Sequence, residues 1–323
     1  MTLAASRQPA DQPPEPPAPP VLPPAAAAAG LVVAALLVVY VVWGSTYLAI
    51  RVVVGQAPPM LGMGTRYLAA AMLLGTLLSL KGGVRRLRVT RRELAGCAFL
   101  GLMLPVLGNG MVSVGEDHGA PSGVTALLIA VAPLMITLFR FASGDRPRPW
   151  TWVGVLLGFA GLGYLVLADR GGTGPVPVGA ALIVLFASTC WAFGSWSQPR
   201  LPLPKDAFAM TVHEMWTGGA MLVVLGLLRG ERLSVSSYDG RTWVAWAYLV
   251  VFGSMVAFTA YVWLLSHAPI SLVATYAYVN PVVAVLLGAL ILGEPVTGAV
   301  LVGGLVIVLA VAIVISVERP RRH

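Results

Sequence analysis

Non-aliphatic residues interrupt an otherwise apolar stretch at residues 270–295, ISLVATYAYVNPVVAVLLGALILGEP. Its middle contains four of them: Tyr276, Tyr278, Asn280 and Pro281. In hydrocarbon each polar group needs a partner, and a proline frees a backbone carbonyl that protein or a wet cavity must satisfy. Residues four apart share a face of a helix, so Tyr276 and Asn280 are expected to point the same way. The pattern favours a polar path along that face, with structural hydrogen bonding between helices as the alternative.

Two tryptophans lie at mid-depth in other apolar stretches. Trp43 and Trp191 are each about thirteen residues into a hydrophobic run, which is roughly 20 Å of helix. Because tryptophan usually prefers membrane interfaces, this depth indicates a stacking surface for an apolar or cationic group, or helix packing with a satisfied indole. Ser45 and Thr46 follow Trp43 and are candidate hydroxyls for the same path, although either can bond its own helix backbone.

Two further polar residues fall inside apolar runs. Asn109 lies between Gly108 and Gly110 and is a candidate for the path, although such glycines are also typical of close helix contact. Glu214 lies about eight residues into its run, where an ionisable group is a functional candidate by default. We expect it to bind a ligand ammonium or to carry a proton, unless the run begins later and leaves it at the membrane interface.

Composition places the whole chain in a membrane. Of its 323 residues, 58% are hydrophobic and 11% are charged, whereas about a quarter of residues are charged in soluble domains. Cys97 and Cys190 lie in apolar runs and form no CxxC pattern, so neither a disulfide framework nor a metal site is predicted. The sequence also lacks GxxxxGK[ST], HExxH and GxSxG. It therefore predicts no enzyme, no ATP-driven pump and no cofactor.

The hydrophobic runs predict an all-α integral membrane protein with ten transmembrane helices. The predicted spans are 31–51, 59–80, 94–115, 121–143, 150–168, 177–197, 207–228, 242–265, 270–292 and 297–316. Residues 1–29 are rich in proline and alanine and predict a disordered cytoplasmic tail rather than a signal peptide. Residues 318–323 form a short basic tail.

Lysine and arginine are distributed unequally between the two sides. With the N-terminus inside, fourteen fall on the cytoplasmic side: Arg7, Lys81, Arg85, Arg86, Arg88, Arg91, Arg92, Arg146, Arg148, Arg200, Lys205, Arg319, Arg321 and Arg322. Four fall outside: Arg170, Arg229, Arg232 and Arg241. The positive-inside rule therefore predicts that both termini are cytoplasmic. This topology and anionic lipid explain the net charge of +8, so no nucleic-acid partner is expected.

Landmark residues recur at a nearly constant spacing. Trp43 and Trp191 are 148 residues apart, as are Pro133 and Pro281. If this is not a coincidence, it divides the chain into five-helix repeats at 30–169 and 177–317. Because five is odd, the second repeat enters the membrane from the opposite side. Inverted repeats place a binding site near the midplane between the halves.

Two arginines are expected near the outer face. Arg51 ends the first span and Arg66 begins the second, so we predict that they form an outer vestibule. Snorkelling to lipid headgroups explains them adequately, and attraction of a ligand carboxylate is the alternative. Glu116 and Asp117 lie in the expected outer loop, where they would neutralise the arginines or form an ion-pair gate.

The blocks AYVNPVVAVLLGALILGEPVTG, WGSTYLAIR and TRYLAAAMLL resemble those of EamA-type permeases of the drug/metabolite transporter superfamily. The resemblance extends over about residues 36–316. It implies ten helices in two inverted five-helix repeats, and export of small metabolites across the bacterial cytoplasmic membrane without ATP. In the first repeat, Ala132 stands where the second has Asn280, and Asp145 stands at the usual acidic loop position.

Together these observations predict a secondary transporter that works by alternating access, most simply an exporter of amino acids, amines or related compounds. The expected partners are a small-molecule substrate and membrane lipid, and the chain is expected to be a monomer or homodimer. Uptake of a metabolite is the alternative within transport. A membrane receptor or scaffold that binds a ligand without moving it is the alternative from another class.

Overall fold

The computed structural model describes residues 25–167, 177–268 and 270–318, and every regular element in these ranges is a helix. We number the helices in chain order: α1 (25–54), α2 (Pro59–Gly82), α3 (Arg91–Asp117), α4 (Ser122–Ala142), α5 (Pro149–Leu167), α6 (Val178–Arg200), α7 (Ala207–Leu228), α8 (Gly240–His267), α9 (270–292) and α10 (Gly298–Glu318). Seven described helices are long and apolar enough to cross a membrane, while α5, α9 and α10 have shorter apolar segments. The predicted all-helical, multi-span class is therefore confirmed, and the number of ten spans stays a prediction.

The structure describes only part of the two predicted tails. Helix α1 begins at Ala25, so residues 25–29 of the predicted N-terminal tail are helical. The rest of that tail, residues 1–24, lies outside the described residues, as do 168–176 and 319–323.

The outer surface of the bundle is apolar. Leu80, Leu228 and Leu290 are each 78–80% exposed, and many other large hydrophobic side chains on the helices also face outward. A contiguous surface of this kind would drive aggregation in water. The surface therefore fits a protein that is surrounded by lipid.

The helices pair in a pattern that repeats between the two halves. Helix α2 packs along α7, and α5 packs along α10; each pair joins equivalent helices of two successive sets of five. Helix α3 contacts α6. Their counterparts in the other half, α8 and α1, also contact each other. The contacts between α4 and α9 complete the pattern. Such pairing is expected when two five-helix repeats meet around a pseudo-two-fold axis.

Glycines bring the paired backbones close together. A Cβ added at Gly64 of α2 would lie 2.9 Å from the amide nitrogen of Val223 and 3.1 Å from the carbonyl oxygen of Gly219, both on α7. A Cβ at Gly303 of α10 would lie 3.2 Å from the carbonyl oxygen of Gly161 on α5. In lipid, small residues at helix crossings allow van der Waals packing that larger side chains would prevent.

Irregular helical segments lie in the middle of the bundle. Leu102–Gly110 of α3 and Leu249–Phe258 of α8 are π-helical and occupy equivalent positions in the two halves. Helix α4 is interrupted at residues 130–131, and α9 at residues 274–275. A π-helical turn is wider than an α-helical one and is frequent at functional sites. Broken helices near the bilayer midplane are typical of transporter binding sites.

The loops gather at two ends of the bundle. At one, called the vestibule end here, the Glu231 carboxylate accepts hydrogen bonds from the backbone N–H groups that open α2. The Glu294 carboxylate does the same for α4. At the other, called the basic end, Arg86 pairs with Asp206 at 2.5 Å. Although partial burial opposes it, the Arg86 hydrogen bond lowers the pKa of Asp206, so the pair is charged at neutral pH.

The α2–α7 crossing gives a first prediction. We expect Gly64→Ala to lower the free energy of unfolding by about 1–3 kcal/mol, because its Cβ would meet backbone atoms that cannot move independently. Gly163→Ala on α5 is the matched control, since no atom lies within 4 Å of its added Cβ. Thermal unfolding in detergent measures both. Equal stability of the two variants would contradict the close α2–α7 contact.

Candidate functional site

Five aromatic side chains meet where the two halves of the chain contact each other. Trp43 of α1 and Trp191 of α6 lie edge to face with ring centroids 5.4 Å apart. Around them pack Phe258 and Tyr261 of α8 and Tyr276 of α9, with the Trp43–Tyr261 centroids 4.7 Å apart. We call these five residues the aromatic cluster. Its two tryptophans are the pair that the 148-residue spacing relates.

The π-helical segments hold both tryptophans. The Trp43 indole N–H donates to the carbonyl oxygen of Gly253, in the π-helical part of α8, at 3.3 Å. Trp191 packs on Gly108, in the π-helical part of α3, where an added Cβ would lie 2.8 Å from the indole ring. The Trp191 N–H lies beside the phenols of Tyr261 and Tyr276 without a hydrogen bond of normal geometry. Each tryptophan therefore contacts one glycine of a π-helical segment: Trp43 through a hydrogen bond to Gly253, and Trp191 through packing on Gly108.

A small cavity of about 40 Å³ lies against this cluster. Its wall consists of Trp43, Thr46, Tyr47, Arg66, Gly108, Asn109, Val112, Ile129, Trp191 and Tyr276. One water requires roughly 10–15 Å³ measured in this way, so the cavity has room for a few water molecules. A larger ligand requires the aromatic cluster to open.

Arg66 corrects the sequence-based expectation. The sequence predicts it in an outer vestibule, either near lipid headgroups or attracting a ligand carboxylate, but it is 2% exposed and lines the cavity. Its Nε donates to the Ser254 hydroxyl at 2.9 Å, and its guanidinium carbon lies 4.8 Å from the centre of the Tyr67 ring. Arg66 is seven residues into α2, roughly 10 Å below its start, and the side chain faces α8. The position of Arg66 along α2 could be predicted from the sequence, but the side of α2 that faces the rest of the bundle could not.

Thr46 and Asn109 line the cavity as predicted residues of the path, whereas Ser45 does not. The Thr46 hydroxyl also donates to the carbonyl oxygen of Trp43 at 2.7 Å. Ser45 donates to the carbonyl oxygen of Val42 and contacts the Tyr248 hydroxyl at 2.6 Å. The side chain of Ser45 therefore joins α1 to α8.

Tyr276 lines the cavity, but Asn280 is absent from its wall. Asn280 is 2% exposed. With the amide oriented so that its nitrogen faces acceptors, it donates to the carbonyl oxygens of Tyr40 at 3.1 Å and Tyr276 at 3.3 Å. Tyr40 belongs to the π-helical turn of α1. Asn280 thus forms the interhelical hydrogen bond that the sequence left as the alternative to a path residue.

Glu214 is fully buried and outside the cavity wall. Neither carboxylate oxygen has a hydrogen-bond partner among the described residues. Cys97 of α3 and Tyr261 of α8 are close enough to interact with it electrostatically. Helix α7 begins at Ala207, as the sequence predicts, so Glu214 lies seven residues into it, buried and away from the cavity wall.

A vestibule of about 730 Å³ opens at the vestibule end. Arg51 lines it as predicted, together with Asp117, Asp239, Arg241 and Glu294. Hydrogen bonds from Thr242 and Gln56 lower the pKa of Asp239, so this carboxylate is ionised at neutral pH. The vestibule therefore presents charges of both signs.

A short layer separates the vestibule from the cavity. Trp43, Tyr47 and Arg51 follow one another at four-residue intervals and share a face of α1; the first two line the cavity and the third lines the vestibule. Arg51 donates to the backbone carbonyl of Glu116. Glu116 was expected in an outer loop, but it belongs to α3, is fully buried, and has no partner for its carboxylate among the described residues. The layer contains a buried acid but no Arg51–Glu116 ion pair.

Sequence reasoning missed several residues of the centre: Tyr47, Gly253, Ser254, Phe258 and Tyr261. Tyr47 was recognisable, since it lies one helical turn after Trp43 on the same face. The α8 residues carried no comparable signal, because the π-helical segment that aims Gly253 and Ser254 inward shifts the face that each residue presents.

A comparison with known protein families gives a match in each half of the chain. The model described as "EamA-like transporter family" matches residues 30–167 and again residues 178–316. The chain belongs to the EamA-like transporter family. The resemblance seen in the sequence is therefore confirmed, and the two matched segments are the two sets of five helices whose contacts repeat.

Curated relatives of this EamA-like chain are named as transporters. It is 40% identical over 257 residues to "Uncharacterized inner membrane transporter YedA" of Escherichia coli K12, covering 79% of this chain and 81% of YedA. It is 26% identical to the "Probable amino-acid metabolite efflux pump" of Salmonella typhimurium LT2, covering 88% and 94%. A crystal structure with 22% sequence identity superposes with a TM-score of 0.63, covering 89% of this chain and 97% of that one. This last likeness concerns the fold alone.

The two asparagines of the centre give a second prediction. We expect Asn280→Ala to reduce the free energy of unfolding by about 1 kcal/mol, because the bond from α9 to the α1 backbone is lost. Asn109→Ala should stay within about 0.5 kcal/mol of the wild type, since the half-buried Asn109 amide faces the cavity. Thermal unfolding in detergent compares them. The reverse order of stability would contradict the assignment of Asn280 as structural and Asn109 as lining.

Proposed function

We propose that the protein is a secondary transporter that exports small metabolites, such as amino acids, amines or related compounds, across the bacterial cytoplasmic membrane. The observation that carries this proposal is the aromatic cluster with its cavity, built by repeat-related tryptophans at the contact between the two halves. Residues from α1, α2, α3, α4, α6 and α9 share the cavity wall. A relative movement of the halves therefore changes the cavity directly.

The proposed architecture has ten spans in two inverted repeats, at 30–169 and 177–317. Support comes from the repeated helix pairing and from the double family match. The excess of lysine and arginine on one side supports cytoplasmic termini, which would make the vestibule end the outer one. The protein is proposed to act as a monomer or homodimer with lipid and a small-molecule substrate as partners.

The sizes of the two spaces support alternating access. The vestibule of about 730 Å³ can admit a metabolite, whereas the cavity of about 40 Å³ cannot. The aromatic cluster and the layer between vestibule and cavity, where Arg51 contacts Glu116, must therefore separate before a substrate reaches the centre. Both close again behind the substrate when the halves rock the other way. No covalent chemistry is needed. The name of the Salmonella relative supports export and an amino-acid-like substrate.

Flux through proteoliposomes tests the proposal. We expect Trp43→Ala to lower the flux of transported metabolites at least about fivefold, since one aromatic contact in the closed centre is worth about 1 kcal/mol. Trp150→Ala, at a tryptophan that is 69% exposed on α5, should stay within about twofold of wild type. A screen over amino acids, amines and nucleosides, run in both directions, separates export from uptake. Normal ligand binding with no flux of any compound would instead indicate a receptor or scaffold.

Proton exchange is the proposed driving force, and Glu214 is the proposed carrier. It is buried without a hydrogen-bond partner among the described residues, and an ionisable group at this depth is rarely only structural. We expect Glu214→Gln to lose the response of flux to an imposed pH gradient. Glu93→Gln is the matched control, because this carboxylate already accepts hydrogen bonds from Thr90 at the basic end. An unchanged response in Glu214→Gln would leave the substrate gradient as the driving force.

A further inference from the structure

Arg66 carries the only formal charge in the cavity wall. The other lining residues are aromatic, aliphatic, a threonine, an asparagine and a glycine. The guanidinium is 2% exposed, and no carboxylate of a described residue lies within 4 Å of it. A buried charge is costly unless it is paired. A negative charge in the cavity would therefore be stabilised by Arg66, and no described residue supplies one.

The buried acids of the protein, Glu116 and Glu214, lie outside the cavity wall. Glu116 interacts electrostatically with Arg51 and Glu294, and Glu214 with Cys97 and Tyr261. The neighbour that interacts most clearly with Arg66 is Tyr67, whose ring lies under the guanidinium. A tyrosine ring attracts a cation but does not neutralise it.

Part of the guanidinium is left without an acceptor. Its Nε donates to Ser254, and one terminal nitrogen lies 3.5 Å from the Met63 sulfur, which is a weak acceptor. No described residue accepts a hydrogen bond from the other terminal nitrogen. Ser254 and Gly253 hold the group in place from α8, where an added Cβ at Gly253 would lie 3.0 Å from that nitrogen. The spare donors belong to a side chain that lines the cavity and is held in place by α8.

We propose that the cavity recognises its substrate through a carboxylate group, which binds the guanidinium of Arg66 while the aromatic cluster covers the rest of the molecule. This rests on the proposed function and narrows it, since simple amines without a carboxylate are excluded as substrates. A planar guanidinium matches a carboxylate with two parallel hydrogen bonds. A single cation suits one negative charge better than the two of a phosphate monoester.

The test compares four probes that share a phenyl ring and differ in charge: phenylacetate, phenylalanine, phenethylamine and phenyl phosphate. Binding to the purified full chain is measured by isothermal titration calorimetry, and movement is measured in proteoliposomes. We expect phenylacetate and phenylalanine to bind at least tenfold more tightly than phenethylamine or phenyl phosphate. Equal or tighter binding of phenethylamine overturns the proposal, and so does failure of both carboxylates to bind. Tighter binding of phenyl phosphate assigns the site to phosphate and overturns it too.

Variants locate the interaction at Arg66. Arg66→Gln should weaken phenylacetate binding at least tenfold, and Arg66→Lys should restore part of the loss. Arg232→Gln, which removes an exposed arginine of the loop after α7, is the charge-matched control and should bind as wild type does. Unchanged affinity in Arg66→Gln contradicts the proposal. If that variant does not fold, Gly253→Ala displaces the guanidinium instead and should also weaken binding.

The two proposals fail in different ways. Binding of the carboxylates that depends on Arg66, without movement of any probe, would refute transport and leave the site assignment standing. Movement of phenethylamine that is insensitive to Arg66→Gln would refute the carboxylate site and leave transport standing.

Discussion

Arg66 places a positive charge in the middle of a helical bundle whose outer surface is apolar. A charge at the centre of a membrane costs at least about 2.5–3.5 kcal/mol, and the neighbouring helices lower this cost without removing it. The π-helical segment of α8 turns Ser254 toward the guanidinium, and the Tyr67 ring lies against it. The same segment offers the Gly253 carbonyl to Trp43. One irregular segment thus positions both the charge and Trp43 of the aromatic cluster, and the charge stays without an anionic partner among the described residues.

The remaining contacts between the two halves are of two kinds. Close glycine contacts join α2 to α7 and α5 to α10, whereas the contact at the centre consists of side chains from both halves around a cavity. Edge-to-face aromatic contacts are individually weak, about 0.5–1.5 kcal/mol each, so the cluster can open at a modest cost. A short layer on one face of α1 separates the vestibule from this cluster.

Composition and hydropathy were sufficient to predict a helical membrane protein, and the spacing of Trp43 and Trp191 led to the pair that meets at the centre. These features depend on residue types and on distance along the chain. The direction in which a side chain points was harder to predict. Arg66 was placed at an outer face because it is near the start of α2, and Asn280 was placed on the path because it shares a face with Tyr276. The acceptor for Asn280 lies in the π-helical turn of α1, and the side of α2 that faces the bundle depends on tertiary packing; no periodicity encodes either.

The central claim is that one cavity is reached from each side of the membrane in turn. A single cysteine at Thr46, which lines the cavity, in a chain whose Cys97 and Cys190 are replaced by alanine, reports this access. Its reaction with a membrane-impermeant thiosulfonate is measured in right-side-out and in inverted vesicles. The account predicts labelling from both sides, slowed by phenylacetate in each case. Labelling from one side only, or from neither, would contradict it.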